Sequence, residues 1–232
     1  MRASFDHAEQ LAPQIWTYYF RPLQPMPYVA GQFIELHLPH SAVDKRGIMR
    51  HFTLSSSPHQ ELLAVTTKFA AASSSFKRSM QALKPGEVVI ITAAMGDFVL
   101  PKDARIPLVM VGVGMGVTPL VSMIRWLSHA GEPRQIQLLY AAHTPDELIF
   151  RPMFERPQIS FTPIVSAPDK TWQGKTGRLD AGRILALTGD PAGKLFYIAG
   201  LEHAVEVIAH ELKQLGVDDN ALVVDYFHGY DN

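Results

Sequence analysis

Short runs of alternating apolar and polar residues fill the first hundred positions of the chain. They cover residues 15–20, 32–38, 62–68 and 88–92, and Pro, Gly and Ser separate them. Alternation places successive side chains on opposite faces of a strand, so each run predicts a half-buried β-strand. Several short strands divided by turn residues favour an antiparallel barrel.

The pattern changes from residue 107 onward, where apolar runs typical of buried strands alternate with longer helical patterns. The strand runs are 108–111, 136–141, 160–165 and 196–199, and the helical patterns follow Pro119, lie near 147–155 and cover 204–215. This alternation predicts a doubly wound parallel sheet covered by helices on both faces. Two prolines bracket a charged connector between the patterns. We therefore predict a β-barrel domain over residues 1–101 and an α/β domain over residues 102–232.

Three alternating glycines, Gly112, Gly114 and Gly116, follow the first strand of the second half, and Thr118 and Pro119 come next. An apolar run, then these glycines, then a helical pattern predict a strand, a tight turn and a helix, with Thr118 as the helix cap and Pro119 in the first turn. Glycines let an anion approach the main chain, and a helix start offers free amide donors, so the turn predicts a pyrophosphate site. A turn that only packs the helix against the strand is the alternative.

A second candidate site lies at residues 50–58, Arg-His-Phe-Thr-Leu-Ser-Ser-Ser-Pro. On a strand, Arg50, Phe52 and Leu54 would face one way and the intervening residues the other. An arginine fork suits phosphate oxygens, an aromatic ring can lie along a heterocycle, and the Thr53 hydroxyl can bond a ring nitrogen. The segment therefore predicts a site for a phosphate and a flat ring. A surface strand followed by a turn is the alternative.

Composition excludes several classes of function. The 232 residues suffice for two modest domains, and 21 basic against 22 acidic residues give no reason to expect nucleic acid or an anionic membrane as a partner. The absence of cysteine excludes disulfides, thiolate-ligated clusters and cysteine nucleophiles. The histidines lack ligand spacing, so we predict no metal site. No run is long enough for a membrane span or a signal peptide, and we expect a soluble cytoplasmic protein without membrane insertion.

With both halves considered, the chain resembles the ferredoxin-NADP reductase family from about Phe5 to Tyr230. Residues 50–56 resemble its flavin-binding motif, in which an arginine holds the flavin pyrophosphate, an aromatic ring packs on the isoalloxazine and a hydroxyl approaches N5. The resemblance gives these roles to Arg50, Phe52 and Thr53, with Phe52 and Thr53 as the catalytic residues. Phe52 replaces the usual tyrosine, which keeps the stacking surface and removes one hydroxyl contact.

Other segments resemble the family in the expected order. Residues 73–80 resemble the helix that presents amides to the flavin phosphates, with a capped surface helix as the alternative, and residues 112–119 resemble the pyridine-nucleotide turn. Ala199 stands where the family has a cysteine beside the nicotinamide, and Phe227 either covers the flavin or packs in an aromatic core. The cofactor-binding set that the resemblance implies is Arg50, Phe52, Thr53, Leu54, Ser55, Thr66, Thr67, Ser74, Ser75, Phe76, Gly112, Gly114, Gly116, Thr118, Pro119, Gly200 and Phe227.

The resemblance implies an enzyme with an FAD-binding barrel and an NAD(P)-binding α/β domain. It would take hydride from NADH or NADPH at FAD N5 and pass electrons to a separate acceptor, such as ferredoxin or an oxygenase component. Two alternatives are a flavoprotein subunit that works only within a larger complex and a flavin-free nucleotide-binding module. The residues leave the choice between NADH and NADPH open. His143 follows the second strand of the α/β domain, where NADP-preferring relatives carry the Arg or Ser that holds the 2′-phosphate, and we therefore favour NADH.

Overall fold

The computed structural model describes residues 1–69 and 73–227 of the chain. The chain divides into two compact units. Met1–Leu100 and Val121–His129 make up the first, and Pro101–Leu120 and the described residues from Ala130 onward make up the second. The domain boundary after residue 101 stays a prediction. Within the described part of the chain, no helix is both long enough and apolar enough to cross a membrane.

The first unit contains a six-stranded antiparallel sheet, and the predicted architecture is confirmed. Its strands are β1 (Arg2–Ala12), β2 (Ile15–Pro22), β3 (Phe33–His37), β4 (Met49–Thr53), β5 (Leu63–Lys68) and β6 (Val88–Ile91). They lie in the order β4-β3-β6-β1-β2-β5. A bridge between Leu54, just after β4, and Val65 of β5 joins the two edges and closes the sheet into a barrel.

The barrel core is built from alternate positions of these strands. Ile34, Leu36 and Leu54 are fully buried, and helix α1 (Ser75–Gln81) adds the buried side chains of Phe76 and Met80. Burial of each such side chain contributes about 1.5–3 kcal/mol to folding. Ser74 caps α1, since its side chain accepts a hydrogen bond from the amide of residue 77. The cap fixes where the helix begins beside β4.

The second unit contains a six-stranded parallel sheet, as predicted. Its strands are β7 (Leu108–Val113), β8 (Ile136–Ala142), β9 (Ile159–Val165), β10 (Lys175–Thr176), β11 (Leu195–Leu201) and β12 (Leu222–Phe227), in the order β10-β9-β8-β7-β11-β12. Helix α2 (Val117–Ala130) follows β7 and has its residues Val121–His129 in the first unit, whereas α3 (Arg151–Phe154), α4 (Ala181–Thr188) and α5 (Glu202–Gln214) belong to the second. Side chains of β7, β11, α4 and α5 form one buried cluster.

Two predicted helix details are wrong. The glycine turn winds as a 3-10 helix over Gly114–Gly116 and runs directly into α2, so Thr118 is the second residue of α2 rather than its cap. Its hydroxyl donates to the carbonyl of Met115 at 3.0 Å. The single helix expected near 147–155 is interrupted, because Phe150 adopts a left-handed conformation with φ of 63°. Only the four-residue α3 remains helical there, after a 3-10 turn at Pro145–Glu147.

Candidate functional site

Arg50 lies on β4 with its guanidinium largely buried. Its side chain is 13% exposed and donates to three carbonyls of the preceding backbone at 2.6–3.1 Å. The guanidinium carbon stands 5.1 Å from the ring centroid of Phe76. The backbone carbonyls and the aromatic ring hold the cation in one place.

The carboxylate of Asp44 connects Arg50 to the start of α1. Oδ2 of Asp44 accepts from the Ser75 amide at 2.9 Å and from the Ser75 hydroxyl at 2.8 Å. Oδ1 lies 3.4 Å from Nη2 of Arg50. The two bonds from Ser75, with the Arg50 charge as a smaller cause, lower the pKa of Asp44 to about 2. Arg50 and Ser75, both in the predicted cofactor set, thus converge on a single anionic group.

Lys77 is another basic side chain of the same region. The ammonium of Lys77 donates to the carbonyl of Lys68 and lies 5.7 Å from the ring centroid of Phe69. Burial, followed by the nearby charges of Arg46 and Arg50, lowers the pKa of Lys77 to about 8. Mutual repulsion among three cations is relieved by an anion, so this region suits a phosphate or diphosphate.

Phe52 and Thr53 occupy the end of β4. Phe52 is 6% exposed, and its ring centroid lies 6.0 Å from that of Phe76 at a tilt of 31°. Thr53 is 8% exposed and pairs with Phe33 across the sheet. The structure therefore brings Arg50, Phe52 and Phe76 together, with the Phe52 ring counted among the barrel core.

Buried hydroxyls fix the segment after β4. Thr66 Oγ1 lies 2.9 Å from both Thr17 Oγ1 and Ser55 Oγ. Arg125, which belongs to the first unit, donates to the carbonyl of Ser55 at 2.8 Å. Ser55 and Thr66, although predicted to contact the cofactor, thus already make hydrogen bonds inside the protein.

The hydroxyl of Thr67, unlike that of its neighbour Thr66 on β5, makes no hydrogen bond to any described residue. Thr67 is 1% exposed, and its hydroxyl is the one buried side-chain polar atom without a hydrogen-bond partner within residues 1–69 and 73–227. An unpaired buried hydroxyl costs about 1–3 kcal/mol. A polar group of a bound cofactor would remove that cost. The unpaired hydroxyl, the cationic region and the aromatic rings fit a flavin with a phosphate-bearing tail.

In the second unit, the glycine turn lies very close to β11. A Cβ on Gly116 would fall 1.9 Å from the carbonyl oxygen of Ala199, and one on Gly200 would fall 3.0 Å from the Cβ of Val113. Gly114 has φ of +56°, which disfavours other side chains. Gly116 therefore has no room for a larger residue, and a Cβ at Gly200 would fit only if Val113 moved by a few tenths of an ångström.

The position of this turn in the sheet matters for binding. From β7 the chain places β8, β9 and β10 on one side and then returns to place β11 and β12 on the other. Ligands of such sheets bind where the strand order reverses, outside the carboxyl ends of the strands. The glycine turn and Gly200 lie at the ends of β7 and β11, and Thr118 and Pro119 follow in the first turn of α2. Six predicted residues are thereby assembled at the reversal point.

Phe227 is the last residue of β12 and pairs with the exposed Leu201 of β11. It is partly exposed at the same edge of the sheet. Tyr230, the other aromatic residue predicted to cover the flavin or pack in the core, lies outside the described residues.

The carboxyl ends of β8 and β9 border an open cavity of about 490 Å³, lined in part by Arg151 and Trp172. Arg151 Nε is 2.6 Å from a carboxylate oxygen of Glu155, and the guanidinium carbon is 5.7 Å from the Trp172 ring. His143, at the end of β8, contacts the Ser166 hydroxyl at 3.1 Å. The Arg151 charge is thus matched by a neighbouring carboxylate.

Sequence reasoning did not identify Asp44 or the partly buried ammonium of Lys77. Asp44 stands in a loop beside Lys45 and Arg46, and no local pattern indicates which groups its carboxylate meets. Its contacts with Arg50 and Ser75 depend on the fold of the loop.

Comparisons with known proteins agree with this geometry. Residues 110–210 match the family described as the oxidoreductase NAD-binding domain. NADH oxidoreductase HCR of Escherichia coli strain K12 is 26% identical over 217 residues, covering 93% of this chain and 65% of that protein. The glycine betaine monooxygenase reductase subunit of Chromohalobacter salexigens is 25% identical over 217 residues, covering 90% of this chain and 56% of that protein. The chain therefore spans less than two thirds of both relatives.

A solved structure supports the fold. The ferredoxin NADP+ reductase from Neisseria gonorrhoeae, with bound FAD and NADP, has a TM-score of 0.81 at 17% identity and covers 97% of this chain and 98% of that one. The family match, the two relatives and the shared fold confirm the resemblance that the motifs predicted. Residues 110–210 thus match the oxidoreductase NAD-binding domain family, and the chain as a whole resembles ferredoxin-NADP reductase-like proteins in sequence and fold.

Proposed function

We propose that the protein is an FAD-containing NAD(P)H oxidoreductase that passes electrons to a separate acceptor. The observation that carries this proposal is the glycine turn at the reversal point of the parallel sheet, where Gly116 meets the main chain of Ala199. Such a turn, followed at once by a helix, binds the pyrophosphate of a dinucleotide.

The barrel would hold the flavin. Arg50, the Ser75 amide and Lys77 would form the anion-binding region for its phosphates, and Phe52, which packs against the buried Phe76, is the aromatic residue proposed to lie nearest the flavin ring. Thr53 and Thr67 offer hydroxyls, and that of Thr67 lacks a partner in the described chain. When bound, FAD supplies the N5 atom that accepts hydride from nicotinamide and can release electrons singly or in pairs.

The remaining work of the chain is positioning rather than acid–base chemistry. Thr118 and Pro119 lie in the first turn of the helix that would face the nucleotide phosphates, and Gly200 packs closely against Val113 at the end of β11. Ala199 is fully buried and, unlike a cysteine, offers no sulfur to the nicotinamide. Hydride transfer would then depend on the alignment of the two rings.

The coenzyme is proposed to be NADH. The only arginine lining the cavity beside β8 and β9, within the described residues, is Arg151, and its charge is already paired with Glu155. A 2′-phosphate would have to compete with that carboxylate, whereas a 2′-hydroxyl would not.

The acceptor is proposed to be a separate protein, such as an oxygenase component or a ferredoxin. The name of the Chromohalobacter relative, a monooxygenase reductase subunit, supports electron delivery to a partner. It also supports the second candidate, a flavoprotein subunit that works only within a larger complex.

An anaerobic titration tests the proposal. The protein is purified with excess FAD, desalted and mixed with NADH or NADPH while the visible absorbance of oxidised flavin is followed. We expect retained flavin that NADH bleaches faster than NADPH. Retained flavin that neither coenzyme bleaches would favour the subunit without independent activity, and absence of flavin would refute the FAD assignment.

A further inference from the structure

The contact between Asp44 and the two proposed flavin-phosphate ligands has a consequence for how flavin binds. Asp44 Oδ2 accepts both donors of Ser75, at 2.9 and 2.8 Å, and Oδ1 faces Arg50 Nη2 at 3.4 Å. A carboxylate and a phosphate present similar anionic oxygens to such donors. The Ser75 amide has a single hydrogen, so it cannot fully serve both anions.

The loop that carries Asp44 lies outside the barrel core. Residues 41–46 connect β3 to β4, and apart from Asp44 they are exposed, including Val43 at 45%. The turn at the end of the loop closes on itself, since the Gly47 amide donates to the Asp44 carbonyl at 2.9 Å and the Arg46 amide donates to Oδ1 at 3.0 Å. Segments with few buried apolar contacts move at low free-energy cost. Asp44 can therefore leave Ser75 without disturbing the strands.

His40 stabilises the same contact from the other side. Its Nε2 lies 3.0 Å from the Ser75 hydroxyl, and its Nδ1 donates to the carbonyl of Leu38 at 2.6 Å. The Asp44 amide also donates to the Ser75 hydroxyl, at 3.1 Å. Ser75 is thus held in an arrangement that presents its amide to an anion, and Asp44 takes that amide.

We propose that the Asp44 carboxylate and the flavin phosphate compete for Arg50 and Ser75, so that FAD binds by displacing Asp44. The inference rests on the proposed function, because it takes Arg50 and Ser75 as flavin-phosphate ligands. Asp44 then sets the flavin affinity of the protein, since each binding event must break its charge-assisted bonds and place a phosphate near a carboxylate. Flavin would bind more weakly, and exchange more readily, than Arg50 and Ser75 alone would allow.

The test measures FAD dissociation constants by calorimetry on the full chain after its flavin has been removed. Asp44→Ala should bind FAD about tenfold more tightly than wild type, the change expected when one charged hydrogen-bonding competitor is lost. Asp44→Asn should bind more tightly by a smaller factor, since its amide oxygen still accepts from Ser75 without the charge. Asp6→Asn is the matched control, because Asp6 pairs with Arg21 on the same unit and touches neither ligand, and it should leave the constant unchanged.

The outcomes separate the inference from the proposed function. If Arg50→Ala weakens FAD binding while both Asp44 variants bind as wild type or more weakly, the proposed function stands and the competition is overturned. If wild type binds no FAD, the proposed function fails and the inference fails with it. Circular dichroism melting checks that each variant is folded, and Asp44→Asn, being isosteric, covers the case in which Asp44→Ala does not fold.

Discussion

Gly116 and Ala199 lie in contact across the end of the parallel sheet, and a Cβ on Gly116 would come within 1.9 Å of the Ala199 carbonyl oxygen. No rotation of a side chain relieves a clash between a Cβ and a backbone atom. The glycine at this position is therefore required by the packing of the 3-10 turn Gly114–Gly116 against β11, whether or not a nucleotide is bound.

Gly116→Ala should destabilise the second unit by about 3 kcal/mol or more, because the 3-10 turn Gly114–Gly116 must move away from β11. Urea unfolding would measure the loss, and NADH affinity should fall with it. Gly131→Ala is the control: Gly131 has φ of +64° and open space around it, so the cost should be about 1–2 kcal/mol from backbone strain alone. Equal losses in the two variants would contradict the packing argument.

Arg50→Lys keeps the charge of Arg50 and removes its planar fork. FAD affinity should fall roughly tenfold, since the lysine cannot make paired bonds to phosphate oxygens. The rate of flavin bleaching at saturating FAD should change little, because Arg50 holds the phosphates rather than the reacting ring. Unchanged FAD affinity, measured by fluorescence titration, would remove Arg50 from the flavin site.

Thr67→Val tests the unpaired hydroxyl on β5. Replacing it with a methyl group should raise the free energy of unfolding of the flavin-free protein by about 1 kcal/mol and weaken FAD binding. Thr66→Val should do the opposite to stability, lowering it by about 1–3 kcal/mol, because Thr66 bonds to both Thr17 and Ser55. If Thr67→Val leaves FAD affinity intact, its hydroxyl does not face the cofactor.

Lys77 gives the stability a predictable pH dependence. Burial lowers its pKa in the folded protein to about 8 from an ordinary value of 10.5, so the unfolded chain binds more protons between these values. Stability should therefore rise with pH across this window, by on the order of 2 kcal/mol relative to Lys77→Met. Urea unfolding of both proteins from pH 7 to pH 10.5 measures the difference. A difference independent of pH would show that Lys77 titrates alike in both states.

Glu155→Gln should shift coenzyme preference towards NADPH. The variant releases the Arg151 guanidinium from its carboxylate partner at 2.6 Å and lets it meet a 2′-phosphate. We expect kcat/KM for NADPH to rise about tenfold and that for NADH to change little. Steady-state kinetics with both coenzymes decide the matter, and an unchanged ratio would place the 2′ position away from Arg151.

The sequence predicts the elements whose patterns are local and regular. Alternation locates β2, β3, β5 and β6, and continuous apolar runs locate β7 and β11. It misses β1, because register shifts between Phe5 and His7 and between Gln10 and Ala12 break the alternation. It also places a helix across Phe150, whose left-handed backbone is marked by no glycine or asparagine at that position.

The sequence likewise identifies some residues of the candidate site and misses others. Motifs identify Arg50, Ser75 and the glycine turn, because each residue type is required at its position. No local motif identifies Asp44 or the unpaired hydroxyl of Thr67, because their surroundings are formed by residues distant in the chain. The roles of all these residues toward cofactors stay predictions.

The central claim is that one chain holds a flavin and reduces it with a nicotinamide coenzyme. Anaerobic stopped-flow mixing of the FAD-loaded protein with NADH tests it most directly, with the absorbance of oxidised flavin as the readout. We predict full bleaching in a single fast phase, slowed when the transferred hydrogen of NADH is replaced by deuterium. Flavin that stays oxidised in the presence of both NADH and NADPH would contradict the claim.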